Sequence, residues 1–519
     1  MTKLPALLAL FLLMLLTMVM PPAAHADSGD IQAASRSVVR VAIFGEVDGE
    51  RRMIGHGSGL VVAPDKIITN AHVVEESLHN ESITFLIVPS QGRESYSATL
   101  VKWSPENDLA LLQLQGSERL PAASLLLSSV PDGSDVFAIG YPANVDIAMQ
   151  LDEAETMRPQ TPVKTRGTIS SGRSAKAFDT ILHTAPIAPG NSGGPMVDAC
   201  GRVVGINSFG STNENGGSEF YFAISVKELT AFLRSQKVAY TSVSGPCRSV
   251  AELTAAEAER EKAAREKIEK EQRIAEAASE KAQAQARRDA ELNIIAERDN
   301  RLALSGLLLL LALGCAGGCY ALFHAERALH GKIAGIVGAI LTFTALFIFA
   351  GRPGFADVAD RMADAETPRQ AAAQSTAAST ASADNGGTKS CVFVPERSKV
   401  TVSSTADVRF NWNSSGCVNG RTQYAPDGGH WTRGFVPGSD QQVSLVHYNP
   451  ADNSYRIERY LLGLDAMQKA QEARRQFNVK GCSGAKDKAE RITRMNQSLR
   501  DILPPQPNEL LVFACEDTG

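Results

Sequence analysis

Three short stretches carry residues whose types and spacing suit nucleophilic chemistry. Ser192 sits in Ala188-Pro-Gly-Asn-Ser-Gly-Gly-Pro195, a serine between glycines on a tight turn. A serine hydroxyl is a poor nucleophile until a histidine takes its proton and backbone N–H groups hold the oxyanion formed on the attacked carbonyl. His72 follows the apolar run Ile67-Ile-Thr-Asn-Ala, with small Ala71 leaving room for the imidazole, and Asp108 opens the run Asp108-Leu-Ala-Leu-Leu. In this reading Asp108 fixes the tautomer of His72, and His72 acts as base toward Ser192 and then as acid toward the leaving group. The N–H groups of Gly190 and Ser192 form the oxyanion hole, while Gly193 and Gly194 keep side chains away from the acyl group. Taken singly, the glycine segment also fits an ordinary turn and His72 a packed histidine; three motifs in order favour catalysis.

The order His72, Asp108, Ser192, roughly 36 and 84 residues apart, is that of the chymotrypsin-like enzymes and fits two six-stranded β-barrels contributing to one cleft. From about Ser37 to Leu233 the chain resembles the high-temperature-requirement (HtrA/Deg-type) branch of trypsin-like serine proteases. The resemblance rests on Gly57-Ser-Gly59, Thr69-Asn-Ala-His72-Val-Val, Asp108-Leu-Ala-Leu-Leu, Gly140-Tyr-Pro, the Gly-Asn-Ser-Gly-Gly core, Val204-Gly-Ile-Asn and Phe222-Ala-Ile. It implies an all-β trypsin-like protease domain over 27–247, polypeptide substrates and a homotrimer. Two departures matter. No PDZ-like pattern follows Leu233, and Ala143 to Pro162, containing Asp146, Asp152, Glu153 and Glu155, is a long polar connection where the family places a regulatory loop. A connection of that length is regulatory or disordered. In trypsin-like enzymes the base of the specificity pocket lies six residues before the nucleophile, here Pro186. With no carboxylate there, and a wall of Tyr221, Phe222 and Ala223, small or medium aliphatic residues are expected before the cut.

The elements around these motifs change character several times along 519 residues. Residues 1–26 read as a secretory signal peptide, with Lys3, an apolar run from Leu7 to Val19 and Ala24-His-Ala26 as a cleavage site; an uncleaved anchor is the alternative. Ser37 to Ser235 alternates short β-branched runs with Gly, Pro, Asn and Ser turns, closing with a helix at Val226 to Ser235. Residues 249–301 form a charged helix laced with pairs such as Glu261/Arg265 and Glu266/Lys270. Its apolar residues keep no clean heptad, so it reads as a solvated spacer ahead of a coiled coil. Residues 302–323 and 333–350 are apolar enough for a two-span transmembrane hairpin, with a buried soluble helix pair as the alternative. A disordered linker over 354–390 leads to a small disulfide-bearing α+β module over 391–519, with an amphipathic helix near Leu464 to Phe477. A fragment around Trp412 to Gly420 has a faint similarity to MORN-like hairpin units.

Cys391, Cys417, Cys482 and Cys515 suggest two disulfides with three connectivities open, ahead of a zinc site. Cys200 and Cys247 form a further bridge or stay free thiols; Cys315 and Cys319 lie in the first span. The balance of 52 basic and 57 acidic residues gives no reason to expect nucleic acid. His183, His430 and His447 lack metal-ligand spacing, and no phosphate-cradling loop or cofactor motif is visible, so neither metal nor cofactor is expected. Two functions compete. The leading one is a membrane-anchored serine endopeptidase in a bacterial inner membrane, with protease and C-terminal module facing the periplasm and lipid as a further partner. The alternative is a catalytically latent peptide-binding or envelope sensor protein in which the C-terminal module is primary.

Overall fold

The computed structural model describes residues 28–174, 178–211, 220–324, 327–351, 386–438, 441–477, 479–482 and 486–518. The signal peptide read at 1–26 and most of the linker read at 354–390 lie outside them. The chain divides into two units, one formed by Met1–Glu259 with Gly386–Gly519 and the other by Arg260–Asn385.

In the first unit, helix α1 (Ser28–Ala34) precedes strands β1 (Val38–Val47), β2 (Glu50–Ala63), β3 (Lys66–Thr69), β4 (Thr84–Pro89), β5 (Tyr96–Ser104) and β6 (Leu109–Leu114), with helix α2 (Ala71–Val74) between β3 and β4. The strands close into a barrel in the order β1-β2-β3-β6-β5-β4. Strand side chains alternate between faces, and here both faces are apolar. Val39, Val41, Val61, Ile67, Ala110 and Leu112 pack together with Phe85 and Ile87. Val38, Leu60, Val62, Ile68, Leu109 and Leu111 instead pack with Val197, Ile206, Ile224, Leu229 and Phe232 from the second barrel. That shared core is why these strands read as nearly continuous hydrophobic runs, and it fixes one barrel against the other along the cleft.

After β7 (Ser124–Leu126), the second barrel uses β8 (Asp135–Gly140), β9 (Val163–Ser174), β10 (Asp179–His183), β11 (Pro195–Asp198), β12 (Val203–Gly210) and β13 (Tyr221–Ser225). The ring runs β11-β8-β9-β10-β13-β12 and closes through β11 and β12; β7 and β14 (Thr241–Val243) extend it in parallel beyond β12. The β8–β9 connection is folded, carrying α3 (Ala143–Ala148) and α4 (Glu153–Thr156); Asp152 and Glu155 form a capping box on α4. The disordered alternative for this loop is thereby replaced by an ordered, capped structure. Helix α5 (Val226–Ser235) is capped by Ser225 and buries Leu229, Phe232 and Leu233, an i, i+3, i+4 stripe, in the shared core.

The C-terminal module contains β15 (Gly387–Phe393), β16 (Val408–Asn413), β17 (Cys417–Val418), β18 (Thr422–Gln423), β19 (Ala425–Asp427), β20 (His430–Phe435), β21 (Gln442–Asn449), β22 (Ser454–Leu461) and β23 (Glu509–Thr518). They form one nine-stranded sheet in the order β18-β17-β16-β15-β23-β22-β21-β20-β19. Trp412 meets Trp431 and Tyr448 edge to face on one side of the sheet, an arrangement that adds about 0.5–1.5 kcal/mol per pair beyond area burial. The module starts at Gly387, inside the segment read as linker, because β15 pairs with both β16 and β23. Disulfides join Cys200 to Cys247, Cys391 to Cys515 and Cys417 to Cys482.

The module is docked on the protease barrels. A buried ion pair joins Lys399 to Asp30 of α1 at 2.5 Å. Arg36 donates to the carbonyls of Gln441 and Leu462, and Ser124 N donates to Thr401 O. Burial lowers the Arg36 pKa to about 10, which makes its carbonyl partners necessary rather than incidental.

One helix, here numbered α6 (Val250–His324), covers both the spacer read at 249–301 and the first apolar span without a break. Its first turns belong to the first unit, where Val250 and Leu253 pack on Leu510 and Val512 and Glu257 pairs with Arg397. In the second unit the remainder of α6 is followed by α7 (Ala328–Ala350), which begins five residues before the second span read at 333–350. Both helices are long and apolar enough to cross a membrane. They approach through small residues, with Gly338 against Cys315 and Gly335 against Cys319.

Candidate active site

The cleft residues are built from three corners of the first unit. His72 sits on α2, directly after β3, because Thr69 is fixed to Ser58 O and the chain turns at Asn70. Asn70 in turn donates to Asp108 O, 2.9 Å away. Asp108 lies at the entry to β6 with φ +51°, a left-handed backbone that Asp tolerates better than most residues. This turn directs its carboxylate at His72: Nδ1 lies 3.0 Å from both carboxylate oxygens, and the His72 backbone N–H donates to Oδ1 at 3.1 Å. Ser208 Oγ donates to the other oxygen, Oδ2, at 2.5 Å. Asp108 therefore presents acceptors that hold Nδ1 protonated and leave Nε2 with its lone pair, the tautomer that a general base needs.

Ser192 follows Gly190 (φ +98°) and precedes Gly193 (φ +89°). A side chain at Gly190 would run into Tyr141 O and the His56 ring, and one at Gly193 into Ser58 O. The turn is pinned to the first barrel by Ser58, whose N–H donates to Ser192 O and whose hydroxyl donates to Gly190 O at 2.7 Å. Among the described residues, neither the Gly190 nor the Ser192 N–H is taken by an acceptor, so both donors are available to an oxyanion. The Ser192 hydroxyl donates to Ser208 O at 3.0 Å, and among the described residues it makes no hydrogen bond to His72. Histidine and aspartate are joined, and Ser208 links the serine to the aspartate. Ser208 is thus in contact with both Ser192 and Asp108, a role sequence reading missed; nothing in Ile206-Asn-Ser-Phe marks it.

The four residues named for specificity are dispersed. Pro186 is exposed, and its carbonyl accepts from Thr165 Oγ1 at 2.6 Å. On β13, Phe222 stacks on Phe209 with ring centroids 4.8 Å apart, while Tyr221 faces the His183 ring and Ala223 is fully buried among Met196, Val204 and Ile169. Tyr221 and Ala223 therefore lie on one face of the strand and Phe222 on the other.

His183 is fully buried, and among the described residues its ring nitrogens have no partner with hydrogen-bond geometry. Desolvation by burial lowers its pKa to about 4, partly offset by the facing Ala185 backbone. His56 is lowered in the same direction, first by burial. Between the ordinary histidine value and about 4 the unfolded chain binds the extra proton, so stability falls as pH drops through that window. Replacing His183 by Leu should remove its share, about 3 kcal/mol over the whole window, of which about 2 kcal/mol falls between pH 7 and pH 5. Thermal melts at pH 7 and pH 5 test this: the gap should narrow in the variant, and an unchanged gap would refute it.

Two antiparallel six-stranded barrels with a cleft between them define the trypsin-like peptidase fold, and residues 57–206 match the family described as the trypsin-like peptidase domain. The chain carries a peptidase domain of that family. Within it the similarity is to HtrA-type serine proteases: 31% identity over 226 residues to serine protease HTRA2, mitochondrial, of Bos taurus, covering 42% of this chain and 45% of that protein. Serine protease MT3772 of Mycobacterium tuberculosis is 27% identical over 203 residues, covering 38% of this chain and 46% of its own. The magnetosome formation protease MamE of Paramagnetospirillum magneticum is 31% identical over 185 residues, covering 34% and 23%. The chain thus spans less than half the length of these relatives.

Proposed function

We propose that the chain is a membrane-tethered serine endopeptidase that cuts polypeptides through an acyl-enzyme on Ser192. The observation that carries this is the convergence of His72, Asp108 and Ser208 beside Ser192, with two unclaimed N–H donors on the Ser192 turn. The attacked carbonyl carbon would bond to Ser192 Oγ, His72 Nε2 would take the hydroxyl proton, and the oxyanion would lie on Gly190 and Ser192 N–H. Asn207 is still bonded to Gly193 and Gly194 through its C=O and N–H, but past it β12 pairs, among the described residues, with β13 on one side only, which leaves main-chain groups beside Ser192 for an extended peptide to pair with. The neutral Pro186 fits a preference for small or medium aliphatic residues before the cut. Three disulfides favour an oxidising compartment, and the apolar helices favour anchoring in a bacterial inner membrane with the first unit facing the periplasm. A homotrimer is the assembly suggested by the HtrA-type resemblance.

The Ser192 hydroxyl resting on Ser208 O favours a second reading, a latent site on a peptide-binding or envelope-sensing protein. Labelling the detergent-solubilised full chain with a fluorophosphonate separates the two. Labelling of the natural chain that is lost in Ser192→Ala and reduced at least a hundredfold in His72→Ala is expected. No labelling, even with denatured protein present as an activating substrate, would establish the latent reading.

A further inference from the structure

We infer that the buried Arg40–Asp146 ion pair is a positioning device for the oxyanion turn, acting through helix α3; this rests on the serine-endopeptidase reading of the site. Arg40 lies on β1, and its side chain is 2% exposed. Its guanidinium grips Asp146 with two parallel bonds, Nη1 to Oδ2 at 2.7 Å and Nη2 to Oδ1 at 3.0 Å, and sits 4.9 Å above the Tyr141 ring. A guanidinium withdrawn from water in this way needs its carboxylate, and the planar fork fixes where that carboxylate must be. Asp146 belongs to α3, so the pair ties a helix of the second barrel's loop to a strand of the first.

The consequence is read at the other end of α3. Ala143 N, the first N–H of that helix, donates to Pro189 O at 2.8 Å. The Pro189–Gly190 peptide is trans and planar, so a carbonyl aimed at Ala143 sends the Gly190 N–H the opposite way. Among the described residues no other group donates to the Pro189 carbonyl, so loss of that bond frees the peptide to rotate, and Gly190, at φ +98°, presents no side-chain barrier of its own. The same pair reaches the turn by a second path. His56 Nε2 is 3.5 Å from Asp146 Oδ2 and 2.9 Å from Tyr141 O, and Tyr141 N donates to the Ser58 hydroxyl that holds Gly190 O. Arg40 and Asp146 touch no reacting atom; they keep one oxyanion donor pointed at the place where charge develops.

The test compares Asp146→Asn, Asp146→Glu and the charge-free double variant Arg40→Met/Asp146→Leu with the natural full chain, on a peptide ester substrate. Loss of one oxyanion donor lowers kcat by about 10²–10³, and that fall is expected in Asp146→Asn and in the double variant, with KM within about threefold. Asp146→Glu should recover part of it. Affinity for a peptidyl trifluoromethyl ketone, whose hemiketal oxygen needs the donor, should fall in parallel, while affinity of the unreactive peptide amide is unchanged. The double variant has no unpaired buried charge, which guards against reading mere unfolding as a positioning effect. If the natural chain turns over ester through Ser192 and both variants match its kcat within threefold, the positioning role is wrong. If the natural chain shows no Ser192-dependent turnover, the peptidase reading fails and the inference falls with it.

Discussion

Asp108→Asn should lower kcat by about four orders of magnitude while leaving the fold intact. The size follows from what Asp108 accepts: His72 Nδ1, the His72 backbone N–H and the Ser208 hydroxyl all converge on its two oxygens. A carboxylate can only accept, so it holds Nδ1–H toward itself and leaves Nε2 free for the serine proton. An amide in the same place offers one oxygen and one NH₂. That one oxygen can keep the bond from only one of the Ser208 hydroxyl and the His72 backbone N–H, which bind different oxygens of Asp108, and with the amide so held its NH₂ faces Nδ1, which must then give up its proton to Nε2. The imidazole becomes the wrong tautomer, a change that costs about 10⁴ in kcat where such a triad operates. Steady-state hydrolysis of a peptide ester, measured against Ser192→Ala as the floor, checks it. A fall of less than tenfold would mean that His72 is not the base.

The same residues show what the sequence made legible and what it could not. Ser192, His72 and Asp108 stand in short, locally ordered strings, because the turn that carries the serine and the strand ends that carry the histidine and the aspartate are shaped by their immediate neighbours. The barrels were visible for a related reason: Val38, Val39 and Val41, and Leu109 to Leu112, place apolar residues on both faces, since one face fills a barrel and the other the core between barrels. Ser208 was invisible because its role is a contact with Asp108 across 100 residues. Arg40 did leave a signal, a guanidinium inside Val38-Val-Arg-Val-Ala-Ile, where Val38, Val39, Val41 and Ala42 are buried; a charge there requires a buried partner. Helix α9 (Lys486–Arg500), lying beyond α8 (Leu464–Arg475), was missed although Ile492, Met495 and Leu499 recur at helical spacing and are buried. Charged residues between them hid a stripe that becomes meaningful only against Leu445 and Val443 of the sheet. The continuity of α6 was likewise masked by the abrupt change from charged to apolar composition at residue 302, although nothing at that junction breaks a helix.

Lys399→Met should destabilise the first unit by about 3–5 kcal/mol at neutral pH, and it should do so in the protease barrels as much as in the C-terminal module. Lys399 Nζ lies 2.5 Å from Asp30 Oδ2, and both side chains are about 95% withdrawn from solvent, at 6% and 5% exposure. Removing one member of a buried pair leaves the other charge uncompensated, which is the origin of the 3–5 kcal/mol penalty; replacing both by apolar groups of similar volume is often neutral. Asp30 is on α1, whose Ile31 and Ala34 belong to the core shared by the two barrels, so an uncompensated Asp30 strains the protease itself. Lys399 also opens the segment in which Thr401 O accepts from Ser124 N and Thr401 N is held by buried Glu509. The contact therefore couples residues 369 positions apart into one folding unit, and the module behaves as a brace on the barrels. Chemical denaturation in a Trp103→Phe background, followed separately by Ser192-dependent activity and by fluorescence of Trp412 and Trp431, reads the coupling. Coincident transitions, shifted together by Lys399→Met and largely restored by Asp30→Leu/Lys399→Met, are expected. Two separate transitions, with activity lost at the same denaturant concentration in both chains, would show that the module unfolds on its own and braces nothing.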